Sequence, residues 1–250
     1  MLKLFNLAID IGEQMLISGA EVHRVEESIS RMCSALGAKR VDVFIITSSM
    51  VVTIHTNGGE TYTQTRRVLS TSINFEKLHR LNQLSREICE KNLTATDIEE
   101  RLNDVKNCKK YSVWFEILSY SVIAGAFTLF FGGNLAQMGT SLVIGAVVRC
   151  GICFSEKLIS NKIFDKFLSS VILTLLAFLA VKIGLINNVD KVIIGNIMSL
   201  IPGIGLTNAL RDLFTGDSIA GLLRSIEAVL IALAIAAGYF LVTVLGGLWL

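Results

Sequence analysis

The 250-residue chain has a single proline, three histidines, two tryptophans and five cysteines, and its charges nearly cancel at +2. Each scarcity excludes something. One proline is far too few for a collagen-like chain. The histidines form no His-Glu-x-x-His pair, no second histidine stands at ligand spacing, and no Gly-x-Ser-x-Gly elbow exists. The common metalloprotease and serine-hydrolase signatures are therefore missing, and neither a metal nor a cofactor is expected. Without a strongly basic patch, nucleic acid is not an expected partner. Cys33, Cys89, Cys108, Cys150 and Cys153 are odd in number and lack a framework spacing, which excludes a disulfide scaffold and points to a reducing compartment. The opening residues MLKLFNLAIDIGEQ are interrupted by Asp10 and Glu13, so they are not read as a signal peptide.

What the chain has in excess is apolar surface. It is 52% hydrophobic and only 18% charged, with a mean hydropathy of +0.60. A soluble domain carries about 25% charged residues. The charges are also unevenly spread. Residues 1–110 hold 15 Lys+Arg and 14 Asp+Glu, and residues 111–250 hold the remaining 8 and 7. This profile predicts a soluble module, residues 1–108, followed by a membrane module, residues 109–250. A disordered chain and a wholly cytosolic enzyme are excluded.

In the first module Leu4, Leu7, Ala8, Ile11, Met15 and Leu16 recur at helical spacing. Ser18-Gly19 breaks that helix, and a second runs from about Ala20 to Leu36, where Gly37 stops it. The runs 41–47, 50–55 and 60–67 are β-branched, and Asn57-Gly58-Gly59 is a turn signal between the last two. Two helices follow, about 75–91 and 96–106, the second capped by Thr94. The expectation is an α+β domain of two helices, an antiparallel meander and two helices.

The chemistry of this half is thin. His23, Glu26 and Glu27 share a helix face, and a solvated, ion-paired face explains them better than a metal or acid–base cluster. Asp42, Ser48, Ser49 and His55 read as ordinary strand residues more readily than as a nucleophile set. Arg66-Arg67 could grip a carboxylate, but a plain surface pair is the simpler reading.

Residues 117–148 contain no charge. That length suits two spans of about 20 residues turned at Phe131–Asn134. Five spans are expected, at about 111–131, 135–154, 167–186, 192–210 and 227–250. Lys106, Lys109, Lys110, Lys157, Lys162, Lys166, Arg211 and Arg224 fall on one side, against Lys191 and Lys182 on the other. The positive-inside rule puts the first module in the cytoplasm and Leu250 outside. Arg149 and Lys182 are read as snorkelling side chains, and Glu116 and Glu227 as interfacial carboxylates, with proton or substrate-ammonium roles as the alternative. Cys150-Gly-Ile-Cys153 lacks a partner pair, so zinc or redox work is not expected.

The most informative stretch is Asn196-Ile-Met-Ser-Leu-Ile-Pro202-Gly203-Ile-Gly205-Leu-Thr207-Asn208-Ala-Leu-Arg211-Asp212. The only proline stands here beside two glycines, and proline removes an amide donor and clashes with the preceding turn. Backbone freed in lipid must be satisfied by protein, water or ligand, and broken helices are where secondary transporters hold substrates. A plain proline kink with glycine packing is the alternative.

These residues carry a family resemblance. Pro202-Gly203-Ile-Gly-Leu-Thr207-Asn208-Ala-Leu-Arg211-Asp212, then Gly216-Asp217, Gly221, Arg224 and Glu227-Ala228, resemble the threonine/serine exporter (ThrE) family. So do Ser18-Gly19-Ala20-Glu21, Arg24-Val25-Glu26, Asp42-Val43-Phe44, Thr65-Arg66-Arg67 and Phe131-Gly132-Gly133 in the rest of the chain. The resemblance implies a bacterial cytoplasmic-membrane exporter of hydroxylated amino acids driven by an ion gradient. Full-length members carry a second group of spans, and this chain stops at Leu250, so it is similar to the short, split (YjjP-like) members. These work with a separate small membrane subunit and are linked to succinate export; a homo-oligomer is the alternative assembly. Family members often have an acidic residue after the Gly-Gly pair; here it is Asn134, so ion coupling is not assigned there. The transport candidates are Asn196, Pro202, Gly203, Thr207, Asn208, Arg211, Asp212, Asp217, Arg224, Glu227 and Glu116. The motif of the first module is Gly19, Glu21, Arg24, Asp42, Arg66 and Arg67. A membrane-anchored hydrolase and a non-transporting regulatory protein are the competing readings.

Overall fold

The computed structural model describes residues 2–91, 93–108, 111–158 and 161–246. The chain divides into two compact units. One comprises Met1–Lys109 together with Gly205–Ser225, and the other Lys110–Ile204 with Ile226–Leu250. The chain is mostly helical, with one small sheet.

The first unit opens with α1 (Leu2–Ile17) and α2 (Val22–Ala35). Gly19 ends α1 at φ +90°, a conformation that only glycine adopts without strain. There the Gly19 N–H returns to Leu16 and the Ala20 N–H to Met15, a Schellman closure. Strands β1 (Ala38–Ile46), β2 (Ser49–Thr56) and β3 (Thr61–Arg67) form an antiparallel meander in the order β1-β2-β3. The 57–59 turn predicted from Asn-Gly-Gly joins β2 to β3. Helices α3 (Phe75–Glu90) and α4 (Ala95–Lys106) complete the run. Thr94 caps α4 in a reciprocal box with Asp97, as its position suggested.

Alternation along β2 sends Met50, Val52 and Ile54 inward and Val51, Thr53 and His55 outward. The inner residues join Phe5, Ile9, Met15 and Leu16 of α1, Ile29 and Met32 of α2, Leu81 of α3 and Ile98 and Leu102 of α4 in one core. Each fully buried side chain of this size contributes about 1.5–3 kcal/mol. Ala220, far along the chain, belongs to the same core.

The second unit holds α5 (Val113–Phe130), α6 (Leu135–Leu158), α7 (Lys162–Lys182) and α8 (Asp190–Ile197). It also holds the part of α10 (Ser218–Gly246) from Ile226 onward. Four described helices are long and apolar enough to cross a membrane: α5, α6, α7 and α10. The expected fourth span, 192–210, is not one helix. It is the eight-residue α8, a non-helical stretch Met198–Pro202, and α9 (Gly203–Thr215). Proline explains the break, because Pro202 has no N–H to return to Met198. Residues 205–225, expected in the fourth span and a polar loop, pack with the first unit. The third span begins five residues early because Asn161 caps it, accepting from the N–H groups of Ile163 and Phe164 at 3.0 and 3.4 Å. The last helix likewise starts at Ser218, before the expected 227. Lys109, Lys110 and the expected end of the last span beyond Gly246 lie outside the described residues, as does the side chain of Lys157.

Inside the second unit, hydroxyls supply several of the polar contacts between helices. Ser121 donates to Leu142 O at 2.7 Å, Thr128 Oγ1 lies 2.6 Å from Ser141 Oγ, and Ser170 donates to Ile235 O at 2.7 Å. Gly195 lets α8 lie against α5: a Cβ there would stand 2.8 Å from Thr128 N and 2.9 Å from Ala124 O.

Candidate functional site

In the first unit, the end of α1 and the start of α2 meet α9 and the first turns of α10. Five polar contacts hold them. Asn208 Nδ2 donates to Gly19 O at 3.2 Å, and Arg211 Nη1 to Glu21 Oε1 at 2.8 Å. The backbone N–H of Val22 donates to Asp212 Oδ1 at 3.3 Å. Arg224 bridges the group, with Nη1 on Asp212 Oδ2 at 2.9 Å and Nη2 on Ala20 O at 3.1 Å. Two motif sets some 190 residues apart in sequence thus form one cluster.

Local structure explains each placement. The Schellman turn at Gly19 leaves the Gly19 and Ala20 carbonyls to accept from Asn208 and Arg224. Val22 opens α2, so its N–H is one of the four that a helix start leaves without an intrahelical partner, and Asp212 supplies the acceptor. A carboxylate at a helix N-terminus also meets the positive end of the helix dipole. Between α9 and α10, Gly216 has a positive φ, and the Asp217 N–H returns to Asp212 O at 2.9 Å.

The electrostatics are uneven. Asp212 is 1% exposed, and its Arg224 partner's side chain is 13% exposed. Burial pushes the Asp212 carboxyl above the usual aspartate range, with Asp217 and Glu21 adding repulsion; Arg224 and the Val22 N–H pull the other way. Glu26, which accepts from the Ile45 N–H at 3.2 Å, is raised by burial and by Asp217. Asp217 keeps a buried Oδ2 with no partner among the described residues. Arg211 differs from Arg224: its side chain is 60% exposed and reaches a mostly buried Glu21.

The remaining candidates lie elsewhere. Arg66 and Arg67 point to opposite faces of β3. Arg66 does grip a carboxylate, that of Asp10 on α1 at 3.1 and 3.2 Å, while Arg67 is exposed. Arg24 is exposed. Asp42 lies on the outer sheet face, 3.4 Å from His55 Nε2, whose Nδ1 is 3.0 Å from Thr61 Oγ1. The Arg40 guanidinium bonded to Asp42 holds its carboxyl below the usual range. This row is exposed, and neither described cleft of the chain includes it. Glu27 pairs with Arg31, and Glu26 accepts from the Ile45 N–H while also feeling the His23 ring. Among the described residues no cluster of His, Cys, Asp and Glu fits a metal ion.

In the second unit Arg149 does not snorkel to a loop. It pairs with Glu116, and its guanidinium sits 5.4 Å from the centre of the Tyr120 ring. Sequence could have signalled this, because Glu116 and Arg149 are the only charges between residues 111 and 155. Pro202 and Gly203 lie at the break, Asn196 is buried in the last turn of α8, and Glu227 is exposed on α10. Cys150 and Cys153 are free thiols.

A family model described as "Putative threonine/serine exporter" matches residues 6–246. The "Probable succinate transporter subunit YjjP" of Klebsiella aerogenes is 24% identical over 97% of this chain and 93% of its own length. The protein of the same name from Escherichia coli K12 is 26% identical over 97% of this chain and 94% of its own. The "Threonine/serine exporter" of Corynebacterium glutamicum is 25% identical over 94% of this chain, which spans only 50% of that relative. No solved structure matches the chain.

Proposed function

This chain belongs to the threonine/serine exporter family, and from that premise we propose that it is one subunit of a secondary exporter in the bacterial cytoplasmic membrane. The cargo is a small carboxylate-bearing metabolite, either threonine or serine or a dicarboxylate such as succinate. Both classes appear in the names of its relatives. An ion gradient drives the export. The first unit faces the cytoplasm, in keeping with the lysine and arginine bias.

The single observation that carries the reading is the exposed Arg211 guanidinium holding the Glu21 carboxylate. A carboxylate already occupies the group that a substrate carboxylate would need. Arginine presents two parallel donors to a carboxylate, which a lysine ammonium cannot copy. In this reading substrate displaces Glu21 from Arg211 and so loosens one contact between α2 and α9. The deeper Asp212–Arg224 pair stays in place and keeps the segment docked.

The exporter is completed by a separate small membrane subunit. The Corynebacterium relative is twice as long as the portion matched here, and the shorter relatives are named as subunits. Only 17–33% of each candidate span is buried within this chain, which leaves wide apolar faces for lipid and for a partner. The test is export from proteoliposomes. Full activity with a co-purified small membrane subunit, and none with this chain alone, supports the reading. Robust export by the lone chain overturns the subunit assignment in favour of a homo-oligomer. A reporter cysteine at Asn57, on a cysteine-free background, should be shielded from an impermeant thiol reagent in intact cells; labelling there refutes the cytoplasmic placement.

A further inference from the structure

Asn196 is 2% exposed in the last turn of α8. Its amide nitrogen donates to Val192 O at 2.9 Å, which fixes the side chain along its own helix. Its amide oxygen has no partner among the described residues. Val192 and Leu200, four residues to either side, belong to the apolar cluster of the second unit. A buried acceptor in such surroundings calls for a donor or a cation.

The backbone beside it leaves the helix. Over Met198–Pro202 the Met198 N–H returns to Ile194 O, the Ser199 N–H to Asn196 O, and the Leu200 and Ile201 N–H groups to Ile197 O. The Ser199 hydroxyl donates to Asn196 O at 2.7 Å, which uses its hydrogen and leaves its lone pairs. Asn196 and Ser199 thus fall within one turn of chain, next to the last carbonyls of α8, which already accept from these N–H groups at the negative end of the helix dipole. Met198 and Ser199 are only half-buried, which gives a path inward.

All these oxygens are neutral. The carboxylates of the unit whose side chains are described are engaged or placed elsewhere: Glu116 on Arg149, Asp165 on Ser155, Asp190 exposed at the opposite end of α8, and Glu227 exposed on α10. A divalent ion favours carboxylates, and a carried proton needs a titratable group. Uncharged oxygens at a half-helix C-terminus suit a monovalent metal cation. The close seating of α8 on α5 at Gly195 limits expansion and favours a small ion.

We propose that the end of α8, through Asn196 Oδ1, binds a monovalent metal cation of sodium size. Its meaning as a coupling ion rests on the exporter reading, but its binding does not.

The experiment uses the full chain in detergent without substrate, so it stands apart from any export assay. Thermal unfolding is followed as NaCl replaces choline chloride at constant ionic strength. The expected result is a saturable rise in unfolding temperature with sodium. Asn196→Leu should abolish the rise, and Asn196→Asp, which keeps an oxygen there and adds charge, should lower the half-effect concentration. The proposal is overturned if sodium and choline behave alike, or if Asn196→Leu responds as the parent does; a bound water or a substrate ammonium would then be the better occupant. Should Asn196→Leu fail to fold, Asn196→Asp decides: a lowered half-effect concentration supports the site, and an unchanged one overturns it.

Discussion

Asp212 and Arg224 stand twelve residues apart on successive helices and close an ion pair at 2.9 Å that is almost wholly withdrawn from water. The same two side chains reach the backbone of Val22 and Ala20. Desolvating both charges offsets much of their attraction. The pair therefore selects which segment docks on α2 more than it adds net stability.

Removing one member should be far worse than removing both. Arg224→Met leaves Asp212 buried without its counter-charge and should cost about 3–5 kcal/mol at neutral pH. The double variant Asp212→Asn/Arg224→Met should recover much of that loss. Thermal unfolding of the purified chain in detergent measures each variant. Simple additivity of the two single losses would count against the pair acting as a unit.

Glu13, Glu26 and Asp212 all titrate above their ordinary values, burial being the largest cause in each. The folded state thus binds more protons than the unfolded state between the ordinary and raised values. Stability from this source is complete below the ordinary carboxylate range and is lost as pH rises through the raised values. Asp42, Glu87 and Asp97 are lowered instead, so their contribution disappears only as the pH falls below the ordinary range, about 4. The unfolding temperature should peak on the mildly acidic side of neutrality. Asp212→Asn should flatten the fall between that peak and pH 7.5; an unchanged slope would refute the assignment.

Arg211 and Glu21 should separate stability from transport. Their pair is largely exposed on the arginine side, so Glu21→Gln should cost less than about 1 kcal/mol. If substrate competes with Glu21, that variant should bind carboxylate substrate more tightly. Where bound substrate desolvates the site, Arg211→Lys should lose a charge-assisted contact of roughly 2–5 kcal/mol. At about 1.4 kcal/mol per decade, export at limiting substrate should drop more than tenfold. Concentration-dependent export, normalised to protein level, reads both. Wild-type export by Arg211→Lys would place the substrate site elsewhere.

Gly195 offers a packing test. Gly195→Val would drive a side chain into Thr128 and the Ala124 carbonyl, at a cost of about 1–3 kcal/mol or more. Gly139, on α6, has nothing within 4 Å of where a Cβ would stand, so Gly139→Ala should be tolerated. Unfolding midpoints of the two variants give the comparison, and equal losses would show that α8 does not depend on this close approach.

Local signals in the sequence carried most of the helices and strands. Asn57-Gly58-Gly59 placed a hairpin, Thr94 placed a cap, and the change from period 3.6 to period 2 near Val41 placed the meander. Pro202 placed the break, but not its extent: no local propensity tells that α8 stops after eight residues while α9 joins another unit. The docking cluster was half legible. Gly19, Glu21, Asn208, Arg211, Asp212 and Arg224 stood out as motif residues, yet periodicity cannot pair Glu21 with Arg211 across 190 positions. The backbone partners at Ala20 and Val22 gave no side-chain signal at all. The Arg66–Asp10 bond escaped for the same reason, since a strand residue's partner on a distant helix is set by tertiary packing alone.

The return of Gly205–Ser225 to the first unit bears on how the protein is made. On a ribosome adding about 5–20 residues per second, roughly 5–20 seconds separate Lys109 from Gly205. During that interval the nascent first unit has its sheet and four helices but lacks Ala220 in its core and a counter-charge for Glu21. The Val22 amide at the head of α2 waits for Asp212 through the synthesis of three long apolar helices. Its surface is finished last by a segment that cannot arrive before those helices have been synthesised, so the first unit matures only after most of the second has left the ribosome's catalytic centre.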